Sequence, residues 1–139
     1  SLATKLGVSV LRVAGKNYTD TARELADFEA NATAMGLGWT PKGLVMVARG
    51  NGFTDGLAGA VLDSTQNDAT GSSHEHPLLL TSSPETVGPH LVTFLKTSGT
   101  GGSGIDGISA KKISSLTILG GPLSVTSAEI SSMETDLKH

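Results

Sequence analysis

The apolar positions of this chain fall into short runs that alternate with longer stripes of helical spacing. Four runs read as strands: Val8–Val13, Leu44–Ala48, Leu78–Thr81 and Leu116–Leu119. The last three are apolar almost without alternation, the pattern of strands buried on both faces in a parallel sheet. The first helix is predicted behind Thr21 and Glu24, a capping-box pair, with Leu25, Phe28, Ala32 and Met35 as its stripe and Gly36-Leu37-Gly38 as its stop. The second spans about Thr54 to Asp63 and is thinned by Ala58, Gly59 and Ala60, which predicts close packing on the sheet. The third has Ser83 as N-cap, Pro84 at the first helical position, and Val87, Leu91, Phe94 and Leu95 as its stripe, with Pro89 able to displace its start. The fourth opens with a Thr126/Glu129 capping box and buries Ile130, Met133 and Leu137. Residues 64–76 and 98–112 hold no apolar period and read as surface loops, flexible at their centres. The pattern predicts a single α/β domain over 1–139: an open, mostly parallel sheet of about four strands with helices on both faces, a flavodoxin-like or Rossmann-like three-layer order.

One stretch of this pattern is placed to meet a ligand. From Gly43 to Ala60 a strand stops at Arg49-Gly50-Asn51-Gly52 and a helix begins behind Thr54 and Asp55, so that backbone N–H groups lie at a strand C-terminus. Asp55 stands where a dinucleotide site needs its third glycine, and its carboxylate would repel a pyrophosphate. Asp55 fits a helix-capping role better than a catalytic one. Gly99, Gly101 and Gly104 have the G-x-G-x-x-G spacing, but they follow a helix rather than a strand. No nucleotide cofactor is therefore expected. His74-Glu75-His76 offers two imidazoles and a carboxylate in a loop without a further ligand pair nearby, so no metal site is expected. No G-x-S-x-G elbow or Ser-His-Asp order is present, and the chain is read as non-catalytic.

Arg12, Lys16, Arg49 and Thr81 all fall at or just beyond predicted strand C-termini, the edge where open α/β sheets bind ligands. Two arginines there suit a phosphate or carboxylate. The alternative is that Arg12 and Arg49 pair with acids such as Asp20 and Asp55.

Composition narrows the picture. Ten Lys and Arg against thirteen Asp and Glu give a net charge of −3, which gives no electrostatic case for nucleic acid. Aromatic residues are 4% of the chain, few for stacking platforms. Cysteine is absent, which excludes disulfides and thiolate chemistry and suits an exported bacterial protein. No apolar run approaches the ~18–20 residues of a membrane span. The chain opens at Ser1 rather than Met, as a processed or excised piece of a longer protein would.

Four ordered blocks carry a resemblance. Val10-Leu11-Arg12-Val13-Ala14-Gly15 with Tyr18-Thr19-Asp20-Thr21-Ala22, then Val47 to Ala58, then Pro77-Leu78-Leu79-Leu80-Thr81, then Ile118-Leu119-Gly120-Gly121-Pro122 with Val125 span nearly the whole chain. Together they resemble the cell wall binding repeat 2 family. The resemblance implies a non-catalytic, extracellular module that holds proteins on the Gram-positive cell wall by binding an anionic wall polymer. It also implies a trio of repeats, either a homotrimer or sister repeats in one chain, since a single repeat is present here. The first candidate site so implied is Pro77, Leu78, Leu79, Leu80 and Thr81, with Arg12 and Arg49 as charge partners, and Lys16 joins the polymer-binding candidates from its place at the strand edge. Asn17 stands where the family often has Arg, and Gly56 where it usually has Ala. Two other functions stay open: a phosphate or small-ligand domain using the same strand edge, and a purely structural assembly domain.

Overall fold

Leu44–Arg49 (β1) forms the middle strand of a parallel sheet, between Leu78–Thr81 (β2) and Ser115–Ile118 (β3), in the order β2-β1-β3. These elements belong to a computed structural model that describes residues 5–7, 10–31, 36–39, 41, 43–65 and 75–139. Val45 to Ala48 are buried, as an apolar run without alternation requires in a central strand. The register sets Val47 opposite both Leu79 and Ile118, and Arg49 opposite Thr81.

Alongside the sheet lie the α-helices Tyr18–Ala30 (α1), Phe53–Thr65 (α2), Pro89–Ser98 (α3) and Ser127–Lys138 (α4). Val45, Val47 and Leu79 join Ala26, Ala30, Leu91, Phe94, Leu95, Met133 and Leu137 in the core, so α1, α3 and α4 build on that face. On the other face α2 lies close to the sheet. A Cβ at its Gly56 would stand 3.5 Å from Leu78 Cδ2 and 3.7 Å from Ala48 Cβ. The glycines facing the sheet are thus Gly56 and Gly59, while Ala58 and Ala60 are exposed. The chain passes from β1 through α2 to β2 on one side, then through α3 to β3 on the other. The order therefore reverses between β1 and β3.

Several expectations are corrected. Among the described residues the sheet has three strands, and Val10 to Val13 stand outside it. Val10 is 73% exposed, and Leu11 to Ala14 line a cavity beside α1 instead of a ladder. Helix α1 starts earlier than Thr21 because Asn17 caps it, its side chain accepting from the Asp20 N–H at 3.0 Å. The Thr21 hydroxyl accepts the Gly15 N–H at 3.0 Å and so holds the incoming chain rather than the helix. The buried stripe of α1 is Ala22, Ala26 and Ala30, with Leu25 turned outward, because only small side chains fit where the helix lies against the core.

Helix α3 starts at Pro89 behind Gly88, not at Pro84. A helix begun at Pro84 would carry Pro89 in its interior, where it lacks a donor and clashes with the carbonyl four residues back. Residues 83–86 form a turn instead. The expected stripe of Val87, Leu91, Phe94 and Leu95 is buried, and the Thr126/Glu129 capping box forms.

The glycine-rich stretch expected to be a flexible loop is packed. Ile105 and Ile113 are fully buried, and two short 3-10 turns lie between them, Ile105–Gly107 and Ser109–Lys111. The Thr100 N–H donates to the Leu137 carbonyl at 2.9 Å, and the Ser103 and Gly104 N–H groups donate to the Thr97 carbonyl at 2.8 and 3.1 Å. The loop thereby satisfies the open carbonyls at the ends of α3 and α4. A Cβ at Gly99, Gly101 or Gly102 would collide with the backbone of Leu137, His139 or Thr97, so glycine serves close approach here. Buried Lys111 donates its Nζ to the Ala30 carbonyl, placing a cation at the negative end of α1. Of the other expected loop, residues 66–74 lie outside the described residues.

Candidate functional site

β1 ends at Arg49, and α2 begins four residues later, so the turn between them is short and its first residue is held to β2. The Gly50 N–H donates to the Thr81 carbonyl at 3.1 Å. Between α2 and β2 this leaves a groove of about 340 Å³, lined by Arg49, Gly50, Gly56, Leu57, Ala60, Leu78 and Leu80. The missing side chain at Gly56 helps open the groove. Its walls are apolar, and Arg49 is the one charged side chain lining it.

Arg49 Nε donates to Asn51 Oδ1, which orients the guanidinium. Among the described residues no carboxylate pairs with it. Of the two acids that could have done so, Asp20 is engaged elsewhere and Asp55 lies at a different crevice. Asp20 accepts from the Lys16 N–H at 2.8 Å and meets Arg23 Nη2 and His90 Nδ1, each at 3.1 Å. The Lys16 N–H foremost, then Arg23 and His90, hold the Asp20 carboxyl below its usual range against the opposing effect of burial. Asp55 borders a crevice at the ends of β1 and β3 with Ala58, Gly59, Ile118, Leu119 and Gly120. Its charge sits at the N-terminal turn of α2, where the dipole favours it. A guanidinium with no acidic partner among the described residues, beside apolar walls, can bind an anionic group with an apolar flank.

The groove brings together Arg49, Leu78 and Leu80 from the sequence-based candidates. The other five are placed differently. Leu79 faces the core, and Thr81 is fully buried with its hydroxyl donating to the Ser83 carbonyl at 3.0 Å. Pro77 is buried, and its carbonyl accepts the Met46 N–H at 2.9 Å. Lys16 is exposed at the entry to α1. Arg12 lines a separate cavity of about 450 Å³ with Glu24, Asp27, Phe28 and Asp106 among others. Three carboxylates make that larger cavity unfavourable for an anion. There the Asp27 carboxyl is pushed up to about 6 by burial, opposed by Arg23 and reinforced by Asp106 and Glu24.

Sequence reasoning missed Leu57 and Ala60 as groove walls and Asn51 as the partner of Arg49. The α2 positions carried a signal, apolar residues at i and i+3 on a helix whose glycines already account for its sheet side. His74 lies outside the described residues, and His76 is buried. Among the described residues, no group of three or more His, Asp or Glu comes together to hold a metal.

A family model described as cell wall binding domain 2 matches residues 12–130, a single copy. The chain belongs to the cell wall binding domain 2 family. The match runs from Arg12 into α4 and so takes in the whole sheet and the groove. No characterised protein and no solved structure matches the chain. Family membership makes it a cell wall binding module of the cell surface, in a family that is generally non-catalytic. No helix of the described residues is long and apolar enough to cross a membrane.

Proposed function

We propose that this cell wall binding module holds an anionic polymer of the Gram-positive wall non-covalently, outside the cell, with the groove at Arg49 as its point of attachment. The observation that carries this reading is the Arg49 guanidinium, oriented by Asn51, unpaired with any acid among the described residues, and set at an apolar groove built from Leu78 and Leu80. The guanidinium supplies charge and bidentate donors, and the leucines supply a surface for the less polar part of a repeating unit.

One arginine on a domain of net charge −3 gives weak attachment. We therefore place the module in a set of three, as a homotrimer or beside sister repeats. Supporting this is the outer face of α2, where Leu57 and Val61 are each 63% exposed and Ala58 and Ala60 are exposed beside them. Three linked sites raise affinity on the order of 10²–10⁴ without a new contact. The same face favours the assembly role as a second reading. The order β2-β1-β3 supports the flavodoxin-like layering. The Asp55 carboxylate in the β1/β3 crevice speaks against a phosphate there.

Co-sedimentation with purified Gram-positive walls, before and after hydrofluoric acid removes phosphate-linked polymers, tests the reading. We expect retention at low salt that falls with extraction and with added salt. Equal retention on extracted walls would overturn the anionic polymer, and no retention on intact walls would overturn the function.

A further inference from the structure

Gly50 lines the groove on one side and carries an aromatic ring on the other. The Cδ2–Cε2 edge of Tyr18 lies so close to Gly50 that a Cβ there would stand 3.0 Å from Cδ2 and closer still to Cε2. The Tyr18 hydroxyl donates to the Ser82 carbonyl just beyond β2 at 2.7 Å. The ring of the first turn of α1 is thus fixed at both ends across the C-terminal ends of β1 and β2. Even so, the residue remains 47% exposed. A ring needed only as a tether would gain from being covered. This one is anchored, in a half-exposed residue, against the glycine that follows Arg49, a cation with no acidic partner among the described residues.

We infer that Tyr18 forms a second subsite continuous with the groove across Gly50, stacking a sugar ring of the polymer whose anionic group sits on Arg49. This rests on the proposed wall function and names the chemistry of the unit next to the charge. The C–H face of a pyranose is flat and apolar and matches an aromatic face, and a ring already fixed loses little freedom on binding. A low aromatic content does not oppose it, because one ring serves one subsite. A polymer of glycerol phosphate units has the charge but no ring to stack, so the pair of Arg49 and Tyr18 selects for a charged glycan.

Tyr18 is the chain's sole tyrosine, so its ring protons report on the subsite without ambiguity in an NMR titration. The probes are soluble anionic polysaccharide released from purified walls and synthetic poly(glycerol phosphate). We expect the polysaccharide to shift the Tyr18 ring resonances together with the Gly50 amide, and poly(glycerol phosphate) to leave the ring resonances in place. In co-sedimentation with intact walls, Tyr18→Phe keeps the ring and retains affinity within about twofold, whereas Tyr18→Leu loses about tenfold, the weight of one aromatic contact. Circular dichroism checks that both variants fold, and the titration of the unmodified protein stands if Tyr18→Leu does not. Ring resonances unmoved while the Gly50 amide shifts would overturn the subsite and leave the groove intact. So would equal ring shifts with poly(glycerol phosphate), or wall retention by folded Tyr18→Leu equal to that of Tyr18→Phe. Absence of any retention by the unmodified protein would instead remove the function on which the subsite rests.

Discussion

Arg49 and Asp27 are two charged side chains whose surroundings treat them in opposite ways. Arg49 sits at a groove with a neutral amide as its partner and no acid paired with it among the described residues. Asp27 sits among Glu24 and Asp106, half-buried, with Arg23 at 2.8 Å to offset them. Its carboxyl titrates near 3.8 when unfolded and about 6 when folded. Between those values the folded state binds the extra proton, so stability falls as pH rises from about 4 to about 6, and the deficit persists above. Asp27→Asn removes the charge and with it this dependence. We expect the variant's melting temperature to gain on the unmodified protein between about pH 4 and about pH 7.5, while an equal difference at both ends would contradict the assignment. At this scale the sequence was legible where local rules decide, as in the Thr126/Glu129 capping box. It was not legible where partners come from afar, as with the fate of Asp20, shared by Arg23 and His90.

Among the elements, α2 does most to shape the groove. Gly56 faces Leu78 and Ala48 at ordinary contact distance, so a methyl group fits there without collision. Gly56→Ala should therefore stabilise the fold by about 0.5–1 kcal/mol through helix propensity, read from urea unfolding, and a loss would show that the helix lies closer than described. Gly101→Val should do the reverse, costing on the order of 2 kcal/mol, because the new side chain meets the backbone of His139. The two glycines look alike in the sequence. One relaxes a helix over a sheet, and the other lets a loop close over the ends of α3 and α4. Helix α4 was readable from its own residues, since spacing and cap agreed, whereas α2 starts at Phe53 and takes Thr54 and Asp55 into its first turn instead of using them as a cap. Helix α3 was misjudged at its start because Ser83-Pro84 and Gly88-Pro89 are both plausible openings, and only the second keeps proline out of the interior. The apolar run at Val10 to Val13 carries strand propensity, but it pairs with no strand of the described sheet.

For the whole molecule, membership of the cell wall binding domain 2 family makes it a wall-binding module, and the groove at Arg49 is the attachment point we propose. The parallel sheet was legible because its strands are apolar on both faces. The separation of Arg12 from Arg49 was not, because it depends on where the first apolar run lies relative to the sheet. Light scattering of the purified chain should give three times the monomer mass of 14.1 kDa if three copies complete the assembly on their own. A monomer would instead assign that role to sister repeats. The most direct test of the central claim is co-sedimentation of the unmodified protein and Arg49→Ala with purified Gram-positive walls at low salt. The account predicts that Arg49→Ala stays folded and loses about tenfold in affinity, the worth of one charge-assisted contact. Full retention by a folded Arg49→Ala would contradict it.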